Sequence, residues 1–315
     1  MRKISKGPWT RRPGTAVLLV TAVVLIAVIV SFVIWMQRTT SPAQDGATPT
    51  RTATPTPPPQ ASAGQPTREG LDAITDTRVV FGHQSIGMNI LSAMPAVFST
   101  FGLQAPQVAS VDWPAARDTD SPVFAEIWVG TNGDPLGKIS DFAAKIDAAT
   151  HPYAIAFMKI GPLDITASTD VSAVFESYTS TMDALAQKHP QTTFVYTTVG
   201  LMTEEAGWSG VAASQVGVPA TAGGSDNARR EQYNALIRER FAASGRLFDV
   251  AQLQSELPDG RIATKPVDGV AVRVMNPAFS DDSLHLNAAG SQHLAAGMLA
   301  VIGRVATARA SSSPR

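Results

Sequence analysis

Two hydrophobic patterns divide the chain. Residues 14–36, GTAVLLVTAVVLIAVIVSFVIWM, are uncharged and mostly apolar, a run long enough to cross about 30 Å of hydrocarbon as a helix. From about residue 68 to 306 the pattern changes, and short β-branched runs alternate with longer stretches of three-to-four periodicity. The short runs predict strands at RVVF (78–81), QVASV (107–111), YAIAFMKI (153–160), TFVYTTV (193–199) and RLFDV (246–250). Between them, Val174, Tyr178, Met182 and Leu185 mark one helix, with Asp170 as its cap. Tyr233, Leu236, Ile237 and Phe241 mark a second. Leu294, Met298, Val301, Ile302 and Val305 mark the last, which Asn287 can cap. Strands alternating with helices predict an α/β domain with a mainly parallel sheet covered on both faces. Its chemistry belongs just after the carboxyl ends of the strands.

Charge orients the first segment. Arg2, Lys3, Lys6, Arg11 and Arg12 precede the apolar run, whereas only Arg38, Arg51 and Arg68 follow it over a longer stretch. This bias places residues 1–13 in the cytoplasm and everything beyond Arg38 outside. A cleaved signal peptide has an apolar region of about 7–15 residues and ends on small residues. This run is longer and exits through Trp35, Met36, Gln37 and Arg38, so residues 14–36 are expected to be an uncleaved transmembrane signal-anchor. Residues 37–67, with TATPTPPPQ at their centre, are too poor in apolar surface to fold and are expected to form an extended stalk. Residues 68–306 are then one globular domain, and residues 307–315, TARASSSPR, a frayed tail.

Composition narrows the function. A formal net charge of −1 leaves no basic footprint for nucleic acid. With no cysteine, disulfides, thiol catalysis and thiolate zinc sites are excluded. His151, His189 and His293 show no ligand spacing with one another, so no metal and no cofactor is assigned.

Two motifs carry chemistry. The first strand runs into Gly82-His83-Gln84-Ser85-Ile86-Gly87, and a helical pattern follows through Ile86, Ile90, Met94 and Val97. Ser85 at a strand-to-helix turn can act as a nucleophile, with first-turn amides facing a developing oxyanion; a plain helix cap is the competing reading. The second motif is Asp282-Ser283-Leu284-His285-Leu286-Asn287, just before the last helix. A carboxylate three residues before a histidine can orient the imidazole for general-base work; a solvated surface turn competes with that.

Together, a serine after strand one and D-x-x-H before the final helix make the chain resemble the SGNH/GDSL hydrolase superfamily, in a branch whose first block reads GHQS. The resemblance spans nearly the whole globular region. It implies a three-layer αβα, flavodoxin-like fold of about five strands. It also implies Ser85 as nucleophile and oxyanion amide, His285 as general base and Asp282 as its orienter. The family's oxyanion glycine matches the stretch Gly130-Thr131-Asn132-Gly133-Asp134-Pro135, with Gly130 or Gly133 as donor and Asn132 as a side-chain donor; an ordinary Asn-Gly turn is the alternative. The third block departs from the family pattern. Where an asparagine is expected, the sequence reads Gly161-Pro162-Leu163-Asp164. Asp164 would repel an oxyanion and is expected to orient a neighbour instead. His83 and Asn89 are further candidates to line the site, or equally to pack. The implied activity is removal of acyl groups, acetyl above all, from an ester or acylated glycan outside the membrane. An acyltransferase using the same residues and a catalytically silent binding module are the alternatives.

Overall fold

A computed structural model of the protein describes residues 64–110, 122–203 and 224–312. The expected signal-anchor (residues 14–36) and most of the expected stalk lie outside the described residues.

Five parallel strands form the sheet in the order β2-β3-β1-β4-β5. These are β1 (Arg78–His83), β2 (Val108–Ser110), β3 (Val123–Trp128), β4 (Ile155–Met158) and β5 (Thr193–Phe194). Beyond β5 the same run continues as β6 (Tyr196–Thr197), which pairs in parallel with β7 (Leu247–Phe248). Thr193 and Val195 donate their N–H groups to Ala154 and Ala156 on one side, and Tyr196 and Thr198 donate theirs to Arg246 and Phe248 on the other. The fifth predicted run therefore extends the sheet by one further strand.

Alternation along the strands builds two cores. Val79 and Phe81 of β1, with Ile155 and Phe157 of β4, face one layer; Val80, Ala156 and Met158 face the other. The first layer holds α1 (Arg68–Thr75), α2 (Ser85–Ser92), α3 (Met94–Thr100), α7 (Val250–Ser255) and α8 (Ala288–Ser312). The second holds α4 (Pro135–Asp147), α5 (Val171–Lys188) and α6 (Gly224–Phe241). This is the expected three-layer αβα arrangement. Phe81 and Phe157, paired across β1 and β4, stack with ring centroids 4.3 Å apart. The predicted caps are in place. Asp170 accepts from Ser172 and Ala173, and Asn287 accepts from Gly290 at 3.1 Å.

Three expectations change. The tail does not begin at 307, because α8 runs to Ser312. Its alanines favour helix, and Arg309 ties that end to the sheet by donating to Thr193 Oγ1 and to the Gln191 carbonyl, both at 2.7 Å. Strand β3 was not foreseen, although it lies beside β1 along its whole length; Glu126 interrupts its apolar run. The hairpin of β8 (Thr264–Val267) and β9 (Val270–Arg273) was not foreseen either. It turns on Asp268 and Gly269, both at positive φ, the pair that a tight two-residue hairpin favours. Among the described residues, α8 alone is long and apolar enough to cross a membrane, but its apolar side chains are buried in the core.

Candidate active site

The strand ends position each functional side chain. At the end of β1 the chain turns at Gln84 and begins α2 with Ser85. The glycines flanking the turn are required by packing. A Cβ on Gly82 would sit 2.8 Å from the Phe142 ring, and one on Gly87 would sit 2.2 Å from His83 Cγ. With both absent, the first turn of α2 lies directly on the buried His83 ring and Ser85 is carried at the sheet's rim. Ser85 thus occupies the first turn of a helix, where backbone N–H groups lack intrahelical acceptors.

The second motif reaches the same rim from the other end of the chain. Leu284 and Leu286 are buried in the first core layer on either side of His285, which leaves the imidazole between them facing out. His285 Nε2 lies 3.1 Å from Ser85 Oγ, across 200 positions of sequence. His285 Nδ1 lies 2.7 Å from Asp282 Oδ2. Asp282 Oδ1 also accepts the N–H groups of Leu284 and His285, at 2.9 and 2.7 Å. Burial alone would raise the Asp282 pKa; the hydrogen bonds from the His285 ring and these two amides outweigh it and hold the carboxyl below its ordinary value. An ionised, multiply bonded carboxylate of this kind fixes the ring so that Nδ1 carries the proton and Nε2 faces the hydroxyl. Ser283, between them, has φ +70°, a conformation that costs a non-glycine residue about 1–2 kcal/mol. Its carbonyl is held by the Thr203 N–H at 3.1 Å. The His285 and Asp282 side chains remain 30 % and 42 % exposed, so the site is open to solvent and to substrate.

The expected oxyanion stretch follows β3. Gln84 clamps it beside the nucleophile by donating Nε2 to the Val129 and Gly130 carbonyls, both at 2.8 Å. The two glycine amides are engaged elsewhere. Gly130 N–H donates to Asp141 Oδ2 and Gly133 N–H to Asp164 Oδ1, each at 2.8 Å. In this arrangement neither is open to an oxyanion, which corrects the expectation for both. Asn132 is exposed, and its Oδ1 accepts from Lys138 Nζ at 2.8 Å.

Asp164 and His83 do not line an open surface. Asp164 is 3 % exposed. It accepts from Gly161 N–H and Lys138 Nζ, both at 2.6 Å, as well as from Gly133. It therefore orients its neighbours, as its chemistry suggested. His83 is fully buried, with Nδ1 2.9 Å from the Gln84 carbonyl and Nε2 3.2 Å from Glu126 Oε2. Its role is to support the turn. Asn89, one turn beyond Ser85, is half-buried, and its Oδ1 has no hydrogen-bond partner among the described residues.

Sequence reasoning missed Gln84, Lys138, Lys159 and Glu126. Lys138 and Lys159 read as ordinary surface lysines, yet both are buried. Burial lowers the Lys138 pKa against the pull of Asp164. For Lys159, burial and then repulsion by Lys138 push the ammonium down to about 7, opposed by Asp164. A lysine closing an apolar strand was the available signal in YAIAFMKI. Among the described residues, no cluster of metal-ligating side chains is found.

The fold is α/β, and Ser85, His285 and Asp282 lie in hydrogen-bonding sequence at the rim of its parallel sheet. No family model matches the chain, and no curated protein does. Solved structures similar to it include a Desulfitobacterium hafniense protein assigned to the G-D-S-L lipolytic family, with 12 % identity and TM-score 0.38, covering 71 % of this chain and 99 % of that one. Another is an acetyl esterase variant solved with acetate, with 12 % identity and TM-score 0.40, covering 74 % and 98 %. A third is the C-terminal domain of the Drosophila Oskar protein, with 11 % identity and TM-score 0.31, covering 70 % and 84 %.

Proposed function

We propose that this chain is a serine ester hydrolase, tethered to a membrane, that removes acyl groups such as acetyl from a glycan or small ester on the outer side. The observation that carries this reading is the 3.1 Å approach of Ser85 Oγ to His285 Nε2, with Asp282 on the far side of the ring. Ser85 Oγ attacks the ester carbonyl while His285 Nε2 takes its proton. The resulting imidazolium is stabilised by Asp282. His285 then gives the proton to the leaving alcohol, and water, activated by the same nitrogen, releases the acyl group. Over a silent binding module, the reading is supported by the three aligned groups and by the strained Ser283 that holds Asp282 and His285 in register.

The tether and its orientation rest on residues 14–36 and the charges around them. The test of the chemistry is hydrolysis of p-nitrophenyl acetate by the full chain in detergent. Ser85→Ala and His285→Ala are each expected to abolish turnover with the melting temperature preserved. Wild-type rates in Ser85→Ala would reject the assignment.

A further inference from the structure

We infer that the exposed indole of Trp128 is the wall that receives the acyl half of the substrate, and that this site favours apolar acyl groups longer than acetyl. The inference rests on the ester-hydrolase reading and names the substrate class together with a residue that selects it.

Backbone bonds place the indole. Trp128 closes β3 and is the register partner of His83, two residues before Ser85. The next residue, Val129, is bonded twice to the nucleophile turn. Its N–H donates to the His83 carbonyl at 3.2 Å, and its carbonyl accepts from Gln84 Nε2 at 2.8 Å. Paired residues of neighbouring parallel strands present their side chains to the same face, and the Trp128 and His83 ring centroids are 6.0 Å apart. The His83 ring lies under Gly87 in the first turn of α2, so the indole stands beside that turn, on its β3 flank. His83 is buried, whereas Trp128 is 47 % exposed. Among the described residues four large apolar side chains are exposed, and three of them, Met88, Trp128 and Leu136, lie at or just after the carboxyl ends of β1 and β3. Met88 is three positions beyond Ser85, on the adjoining face of α2. Exposed apolar side chains gathered at one edge mark a surface built to be covered.

The triad then decides which half of an ester meets it. His285 reaches Ser85 from the opposite flank. The Ser283 carbonyl is held by Thr203, which follows β6, and α8 packs over β4 and β7. β1 separates that flank from β3. When Ser85 Oγ bonds to the carbonyl carbon, its proton passes to His285 Nε2 and the carbonyl π pair moves to oxygen. His285 Nε2 must next give that proton to the leaving alcohol, so the alcohol half lies on the β4 flank. The acyl carbon takes a direction away from the imidazole, toward the β3 flank and Trp128. An acetyl group ends at its methyl and offers an indole little. Each further methylene buries apolar surface against the ring.

The test holds the leaving group constant and varies the acyl half: kcat/KM for p-nitrophenyl acetate and p-nitrophenyl butanoate, with the full chain in detergent. The wild-type chain is expected to favour butanoate by about five- to tenfold, from two partly buried methylenes, and Trp128→Ala to bring the ratio close to unity. Trp128→Phe, with a smaller apolar face, should fall between them and decides the matter if Trp128→Ala does not fold. A merely structural role would lower both rates together and leave their ratio where it was. A wild-type ratio at or below unity, or a ratio unchanged in the variant, would overturn the inference, while Ser85-dependent turnover would keep the hydrolase reading standing. A wild-type chain with no Ser85-dependent turnover of either ester would overturn the hydrolase reading itself, and this inference with it.

Discussion

A few side chains decide whether the site works. Asp282 makes one bond to the His285 ring and two to backbone amides, so its carboxylate both selects the tautomer and shapes the turn. Asp282→Asn keeps the volume but turns an accepting edge into one that can donate. It is expected to lower kcat on the order of 10⁴-fold, as loss of the correct tautomer does elsewhere; steady-state kinetics beside a thermal melt check this. Lys159 gives a stability prediction with a definite sign. Its folded pKa is about 7, below the ordinary 10.5, so the folded state is penalised for the proton. Below about pH 7 the full penalty applies. Between there and about 10.5 the unfolded chain binds the extra proton and stability rises with pH. Lys159→Met should therefore raise the melting temperature more at pH 6 than at pH 9. Parallel wild-type and variant curves across that range would show that Lys159 is not held this way.

At the scale of elements, the turn from β1 into α2 is tightly constrained by packing. Gly87 lies inside a helix, where Gly→Ala ordinarily stabilises. Here the added methyl would overlap the His83 ring, which is itself boxed in by α2 and Glu126. Gly87→Ala is expected to cost about 1–3 kcal/mol in urea melts and to slow turnover by shifting Ser85. A variant as stable as wild type would mean that His83 has room to move. Elements were legible where periodicity was clean. β1, β4, α5 and α8 stand in the sequence as apolar repeats, and Asp170 and Asn287 announce their helices. β3 was hidden because Glu126, facing His83, breaks its pattern for the sake of the site rather than the core. The β8–β9 hairpin was hidden because its strands are mostly exposed, although Asp268-Gly269 was readable as a turn. Ser85, Asp282 and His285 were legible as motifs. Gln84, Lys138 and the diversion of the Gly130 and Gly133 amides were not, since each depends on a partner far away in sequence.

For the whole molecule, the parallel sheet does what such sheets do: it gathers loops from separate strands along one carboxyl edge. Ser85 arrives after β1, the Asn132 loop after β3 and Asp164 after β4, while Asp282 and His285 precede α8. The sequence before the domain predicts an anchor that leaves this edge outside the cell. Protease added to intact cells stripped of their wall is expected to cut between residues 37 and 67 and release the domain; a fully protected domain would reverse the proposed topology. The central claim is that Ser85 is an activated nucleophile. Its most direct test is to label the full chain with a fluorophosphonate and map the adduct by peptide mass spectrometry. The adduct should sit on Ser85 and be lost in both Ser85→Ala and His285→Ala. No adduct on the wild-type chain, or one that persists undiminished in Ser85→Ala, would contradict the claim.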